Sequence, residues 1–303
     1  MELSEKIRLY IKLIRVYQWT KNGFVFLPFV FAQEAIDLAL SPFSESSKLL
    51  FFKLLISFFA FSFLASSVYV LNDWKDRNLD RLDPKKRYRP IASGKVTKNE
   101  AIVIFFVLFF LSFTLAGLLR SQFAIYLLLF YFLMNIAYSY GAKKVLLLDV
   151  FLIAVGFVIR VLFGAFAINI PASPWLISTT FFIALFLGFY KRYFEVLSVP
   201  AEKMIGGMYH RESLRSFIDI SAGLAIMTYS LYTITGTHAE SNLYWTIPFV
   251  VIGIFRYYTL IENPENKEGN PADVLLTDPF LIFVIILWLV SCYGLILYHY
   301  LTK

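Results

Sequence analysis

The sequence predicts an all-α fold, a polytopic integral membrane bundle of about nine transmembrane helices. Three observations predict it. Of the 303 residues 59% are hydrophobic and only 16% charged, whereas a soluble domain is nearer half apolar and a quarter charged. Apolar runs long enough to cross a bilayer, about 20 residues, recur along the chain. Basic residues gather in alternate loops, the positive-inside pattern of a multi-pass protein. With mean hydropathy at +0.67, no soluble domain can be cut out, and residues 1–303 read as one transmembrane domain.

Residues 1–17 set Lys6, Arg8, Lys12 and Arg15 against Ile7, Tyr10, Ile11 and Ile14, which reads as an interfacial helix. They show no signal-peptide cleavage pattern, so insertion without processing is expected. Spans are then expected near 23–40, 51–71, 101–119, 123–140, 145–168, 174–190, 217–235, 244–260 and 279–301. The first is the weakest, because Glu34 and Asp37 interrupt it. Starting the N-terminus inside puts the basic loops around 72–99, 141–144, 191–215 and 256–277 on one side. Loops around 41–50, 120, 169–173 and 236–243, poor in basic residues, fall on the other. A plasma-membrane protein is expected, N-terminus in and C-terminus out, with loop 72–99 cytoplasmic. The prolines of 169–174 make an outer turn, and 262–270 is a polar cytoplasmic loop. These basic loops account for the net charge of +7 without nucleic acid as a partner. Cys292 is the sole cysteine, which excludes a disulfide framework and a thiolate metal site.

The stretch Asn72-Asp73-Trp74-Lys75-Asp76-Arg77-Asn78-Leu79-Asp80 closes the second apolar run. Asp73, Asp76 and Asp80 follow i, i+3, i+7 spacing and share a helical face. Like charges so placed repel by roughly 0.2–0.5 kcal/mol per pair on an exposed helix, and a divalent cation between them reverses the sign. Mg²⁺ usually takes one or two carboxylates, waters and substrate phosphate oxygens. Lys85, Lys86, Arg87 and Arg89 follow at once. Acid for metal beside base for phosphate suits a metal-bound phosphate or diphosphate. On spacing alone, a solvated loop neutralised by Lys75, Arg77 and Arg81 fits equally well.

Other polar groups interrupt the apolar runs. Lys21 and Asn22 open the first span within reach of a phosphate, or as part of an interface anchor with Trp19. Asn135 and Tyr138 share a face of the fourth span, where an interhelical hydrogen bond and an aromatic belt are the plainer roles. Asp149 and Arg160 lie about 16 Å apart along the fifth span, too far to pair directly. Arg160 falls deep in the hydrocarbon region, where an unpaired charge costs at least about 2.5–3.5 kcal/mol. It is a functional candidate, or the partner of another helix. Lys191 and Arg192 end the sixth span in reach of a phosphate, with Lys191 and Glu195 spaced as an i, i+4 pair.

The pattern N-D-x-x-D-x-x-x-D at 72–80 resembles the first signature of the UbiA superfamily of intramembrane prenyltransferases. The resemblance implies a UbiA-like fold, with Asp73, Asp76 and Asp80 as catalytic residues that hold Mg²⁺ against a diphosphate. Members that use isoprenyl diphosphates carry a second aspartate-rich motif after the sixth span. Here the acids between Tyr190 and Phe217 are Glu195, Glu202 and Glu212, with no aspartate pair. Residues 17–22, 72–80, 86–94, 149–160 with Gly156, Lys191-Arg192-x-x-Glu195 and 271–278 look like the decaprenyl-phosphate phosphoribosyltransferase branch, nearly end to end.

That branch implies transfer of 5-phosphoribose from phosphoribosyl pyrophosphate to a polyprenyl phosphate, releasing pyrophosphate. The product, polyprenylphosphoryl-5-phosphoribose, is a precursor of lipid-linked arabinose donors for cell-wall synthesis. A single diphosphate substrate accounts for a single aspartate motif. The substrate-binding residues implied are Lys21, Asn72, Arg87, Arg89, Tyr138, Arg160, Lys191 and Arg192. Arg87 and Arg89 suit the sugar 5-phosphate, because guanidinium meets phosphate through paired donors; Lys21, Arg160, Lys191 and Arg192 suit the lipid phosphate. Two rivals stay open. One is a UbiA prenyltransferase moving a prenyl chain to an aromatic or glycerol-phosphate acceptor. The other is a transporter of phosphorylated solutes, which the lack of an internal repeat disfavours. Lipid chain length and assembly into a homo-oligomer are not fixed by the sequence.

Overall fold

The computed structural model describes residues 3–198, 209–236, 238–262 and 277–302, and these contain helices and no strand. The α-helices are α1 (Leu3–Ile14), α2 (Leu27–Val30), α3 (Gln33–Leu40), α4 (Glu45–Leu82), α5 (Lys98–Leu118) and α6 (Gln122–Tyr140). They continue as α7 (Leu148–Ile168), α8 (Pro174–Ser198), α9 (Arg211–Thr235), α10 (Ile247–Glu262) and α11 (Pro279–Thr302). Local chemistry sets several starts. The Ser44 hydroxyl accepts from Ser47 N at 3.2 Å to open α4, and Thr97 with Glu100 forms a capping box on α5, satisfying N–H groups that lack an intrahelical partner.

Among the described residues eight helical segments are long and apolar enough to span a bilayer: α4 to α9, α10 together with the 3-10 turn that leads into it (Leu243–Leu260), and α11. The expected first span differs. Residues 16–26 form a 3-10 helix that runs into α2, and the chain then bends by 90° into α3. Pro28 starts the short α2. Beyond the bend, Glu34 and Asp37 make a poor continuation into hydrocarbon, and the count among the described residues becomes nine only if the bent pair is one crossing.

A second correction concerns 72–99. Residues 72–82 are not loop but the last turns of the 38-residue α4, which at about 1.5 Å per residue far exceeds the roughly 30 Å hydrocarbon core. The aspartates therefore stand on a rigid helix end, and the loop proper is 83–97.

Contacts divide the chain into two compact units, residues 1–141 with 159–171 and residues 142–158 with 172–303. In the first, α4 is the axis and packs on α1, on the 3-10 segment, on α5 and on α6. Buried Ala60, Ser62, Ala65 and Ser66 keep α4 slim, and small residues let helices approach closely in a membrane. Asn22 Nδ2 donates to Ser62 Oγ at 3.0 Å and Trp19 Nε1 to Ser66 Oγ at 2.9 Å. Leu13, Val70, Ile91, Val96 and Ala101 form one buried cluster, which pins loop 83–97 over the end of α4. In the second unit α8 packs along α9 and α10 along α11, around a core that includes Phe186, Phe189, Leu214, Ile218 and Tyr257. Large apolar side chains stand exposed on the outer faces, among them Phe110, Phe130 and Phe283, as lipid contact requires.

Gly164 of α7 meets the 3-10 segment directly: a Cβ there would lie 1.9 Å from the Val25 carbonyl oxygen. Gly164→Ala is expected to cost about 1–3 kcal/mol through overpacking. Gly117→Ala, whose Cβ meets nothing within 4 Å, should be neutral or slightly stabilising. Thermal unfolding of the two variants in detergent checks this.

Candidate active site

Each residue advances about 100° around an α-helix, so Asp73 and Asp80 lie within about 20° of one another and Asp76 about 60° away. The structure follows that geometry. Asp73 and Asp80 are 2% and 4% exposed, while Asp76 is half-buried. One guanidinium serves both buried acids: Arg89 Nη1 donates to Asp73 Oδ1 at 3.1 Å and to Asp80 Oδ2 at 2.8 Å. Arg15 Nη2 donates to the same Asp73 oxygen. Two cations thus balance two buried anions, in keeping with the high cost of an unpaired buried charge.

Both arginines are placed by local backbone chemistry. Arg15 sits at φ 54°, ψ 51° between α1 and the 3-10 segment, a left-handed conformation costing about 1–2 kcal/mol for a residue with a Cβ. Its guanidinium lies 4.9 Å from the Tyr69 ring. Arg89 is delivered by loop 83–97. Asp83 Oδ1 accepts the N–H groups of Lys85 and Lys86, both at 2.9 Å. Burial pushes the Asp83 carboxyl up, but those bonds and the charges of Lys86 and Arg89 outweigh it and hold the carboxyl below its ordinary value. Gly94, at φ 76°, lets the loop turn back, and Arg81 Nε latches it by donating to Ala92 O at 3.0 Å.

Among the described residues, no three Asp, Glu, His or Cys side chains gather as a metal site. The three aspartates therefore do not converge as a triad. Asp73 and Asp80 do converge, on the Arg89 guanidinium. A pair of hard carboxylate oxygens fits Mg²⁺, which usually takes one or two carboxylates and fills its octahedron with water and phosphate oxygens. The ion and Arg89 would compete for the same two acids.

Asn72 Oδ1 accepts from Ser139 Oγ, and Lys75 donates to Ser139 O while its Nζ lies 3.6 Å from the Tyr140 ring centroid. These contacts tie the end of α4 to the end of α6. Arg87 is exposed and donates to the Tyr88 hydroxyl at 2.7 Å. Lys21 and Tyr138 are half-buried in the same unit. Arg160 is 5% exposed, and its Nε donates to Asn22 Oδ1 at 2.9 Å and its Nη2 to the Tyr131 hydroxyl at 3.1 Å. The Phe61 and Tyr131 rings lie 4.9 and 5.1 Å from its guanidinium carbon. Phe61 and Tyr131 carry no sequence signal beyond being aromatic in an apolar run.

The second unit reassigns two expectations. Arg192, 3% exposed, donates Nε to Asp149 Oδ2 at 2.6 Å and Nη1 to Glu195 Oε2 at 2.5 Å. The Tyr209 hydroxyl donates to the other Asp149 oxygen at 2.6 Å. The partner of Glu195 is thus Arg192, three residues before it on α8, and Lys191 is exposed. Tyr209 has no motif to mark it. Glu202, the 262–270 loop beyond Glu262 and residues 271–276 of the last matching stretch lie outside the described residues. Asp278, at the end of that stretch, accepts from Arg256 Nη2 at 2.8 Å and from Leu281 N at 2.8 Å; the Arg256 bonds hold its carboxyl below the ordinary value.

The model of the UbiA prenyltransferase family matches residues 25–277. The chain belongs to the UbiA prenyltransferase family. It is a multi-pass membrane transferase. The chain is 29% identical over 299 residues to a decaprenyl-phosphate phosphoribosyltransferase of Mycolicibacterium smegmatis, covering 92% of this chain and 89% of that one. To the decaprenyl-phosphate phosphoribosyltransferase of Mycobacterium tuberculosis it is 30% identical over 291 residues, covering 93% and 92%. A UbiA homolog from Archaeoglobus fulgidus, solved bound to GPP and Mg²⁺, superimposes with a TM-score of 0.67 at 15% identity, over 95% of this chain and 99% of that one. The UbiA fold is thus shared, well beyond what sequence identity reveals.

Asp149→Ala leaves the buried Arg192 with one carboxylate partner fewer, and a loss of about 3–5 kcal/mol is expected. The double variant Asp149→Leu with Arg192→Met removes both charges and should recover much of that loss. Unfolding in detergent measures both.

Proposed function

We propose that this protein transfers 5-phosphoribose from phosphoribosyl pyrophosphate to a polyprenyl phosphate. The observation that carries the reading is similarity to decaprenyl-phosphate phosphoribosyltransferases across 92–93% of the chain, joined to one acid cluster with its own arginines. An oxygen of the lipid phosphate forms the new bond to C1 of the ribose while the bond from C1 to pyrophosphate breaks. Pyrophosphate leaves, and the product is the polyprenylphosphoryl-5-phosphoribose diester. A phosphate is already anionic at neutral pH, so the reaction asks for no strong general base.

Asp73 and Asp80 are proposed to hold Mg²⁺, with Asp76 as a further acid at its edge. Bound there, the ion would neutralise the charge that develops on the departing pyrophosphate. Arg89 bonds both carboxylates, and its side chain is 29% exposed, so it is the group that yields when a divalent cation takes those acids. Once released, its fork of donors suits a donor phosphate, and Arg15 remains to steady Asp73. Arg87, exposed on the same loop, is proposed for the sugar 5-phosphate. Asn72 fixes the end of α4 through Ser139. Lys21, Tyr138 and Arg160 in the first unit are proposed to meet the lipid phosphate. Arg192, matched by Asp149 and Glu195, is assigned to structure instead. The acid cluster is proposed to lie at the cytoplasmic face of the plasma membrane, where a soluble phosphorylated sugar reaches it.

A UbiA prenyltransferase acting on an aromatic acceptor is the other reading. Membranes given labelled phosphoribosyl pyrophosphate and polyprenyl phosphate are expected to make labelled lipid; prenyl diphosphate with 4-hydroxybenzoate should give no product. Chelator should abolish transfer, and Asp73→Asn and Asp80→Asn should lower it on the order of 100-fold or more. Arg89→Gln should raise KM for the donor more than it lowers kcat. The reverse substrate preference, or full activity of the aspartate variants, rejects the reading.

A further inference from the structure

Helix α1 has two sides of different chemistry. At about 100° per residue, Lys6, Tyr10 and Leu13 fall on one side; Ile7, Ile11, Arg8 and Lys12 fall on the other. The first side is docked. Lys6 Nζ pairs with Glu100 Oε1 at 2.8 Å, and the Tyr10 hydroxyl donates to the same oxygen at 2.9 Å. Leu13 is fully buried in the cluster with Val70, Ile91, Val96 and Ala101. Ser66 Oγ of α4 donates to Ile14 O at 2.7 Å, and the next residue is Arg15, which bonds Asp73. The second side is open: Ile7 and Ile11 are 49% and 50% exposed, and Arg8 and Lys12 are exposed as well.

The depth of that open side follows from α5. Its 21 residues extend about 31 Å, close to the thickness of the hydrocarbon core. Its first turn, which holds Glu100, therefore stands at the boundary with the head groups, and α1 is held to Glu100. A pair of isoleucines at that boundary suits the upper acyl chains, and the basic residues about 100° around the helix suit the head groups. Charge selects among lipids. Against one exposed acid on α1, Glu5, stand Arg8 and Lys12, with Lys95 and Lys98 exposed beside the Leu13 cluster. The Lys98 ammonium lies 5.9 Å from the ring centroid of Trp74, which packs on that cluster. Basic residues at a membrane surface attract anionic head groups. We propose that α1 seats on anionic lipid of the adjoining leaflet, and that this seat holds Arg15 and loop 83–97 in place over the aspartates. The loop is included because Ile91 and Val96 share their cluster with Leu13. The inference stands apart from the phosphoribosyl reading, since its test needs no turnover.

Amide hydrogen exchange of the full chain in nanodiscs tests it, with phosphatidylcholine alone against a mixture containing one-third phosphatidylglycerol. Exchange across 3–14 and 83–97 reads the opening of those segments. It is expected to be about five- to thirtyfold slower with the anionic lipid, the effect of one to two basic residues at such a surface. The double variant Arg8→Gln with Lys12→Gln should exchange at the phosphatidylcholine rate in both lipids. A nitroxide on Ile11→Cys, in a Cys292→Ala background, reads the contact itself. With anionic lipid it should meet dissolved oxygen more readily than a water-soluble nickel chelate. Equal exchange of the wild type in the two lipids, slowing confined to 3–14, an unaltered lipid effect in the double variant, or a nitroxide open to the chelate overturns the proposal.

Discussion

Two buried carboxylates at the end of α4, held by the arginines of two other segments, are the constraint on which the first unit depends. Asp73 and Asp80 lie almost out of water, where carboxylates persist only if matched by positive charge. That requirement draws Arg15 into a left-handed turn and Arg89 inward from loop 83–97. In doing so it fixes where α1 ends and how the loop crosses the helix. Hydrophobic packing of Leu13, Val70, Ile91 and Val96 supports the same arrangement. Charge matching and apolar burial therefore act on the same segments.

A cluster of that kind serves stability and chemistry in turn. With Arg89 between them, the acids are neutralised and the loop is closed. In the proposed metal-bound state the same acids would hold the cation in place of Arg89. In the second unit the equivalent demand at Asp149 is met by Arg192 and Tyr209, with Glu195 sharing Arg192. That network is more deeply enclosed, which is why its arginine is read as structural.

Much of this was legible in the sequence. Hydropathy marked nine spans, eight of which fall on the helices long and apolar enough to cross, and the aspartate pattern located the acid cluster. The break in the first crossing was legible only in part. Glu34 and Asp37 weakened the span, but no local pattern records the bend itself, which falls between Val30 and Gln33. The helical character of 72–82 was implied by the i, i+3, i+7 spacing. The split between Asp76 and the other two aspartates follows from 100° per residue once the helix is known to continue. Arg15 had no signal at all, since its role rests on a backbone conformation and on a partner 58 positions away. Pairing across the chain hid the partner of Arg192 in the same way: a lysine–arginine pair at a helix end reads as a phosphate site until Asp149 of α7 is laid against it.

The exchange at Asp73 and Asp80 is open to direct measurement by Mn²⁺ electron paramagnetic resonance, with and without phosphoribosyl pyrophosphate. The account predicts Mn²⁺ binding that weakens in Asp80→Asn and, without donor, tightens in Arg89→Gln, because the competing guanidinium is gone. Identical Mn²⁺ affinity in wild type, Asp80→Asn and Arg89→Gln would contradict it.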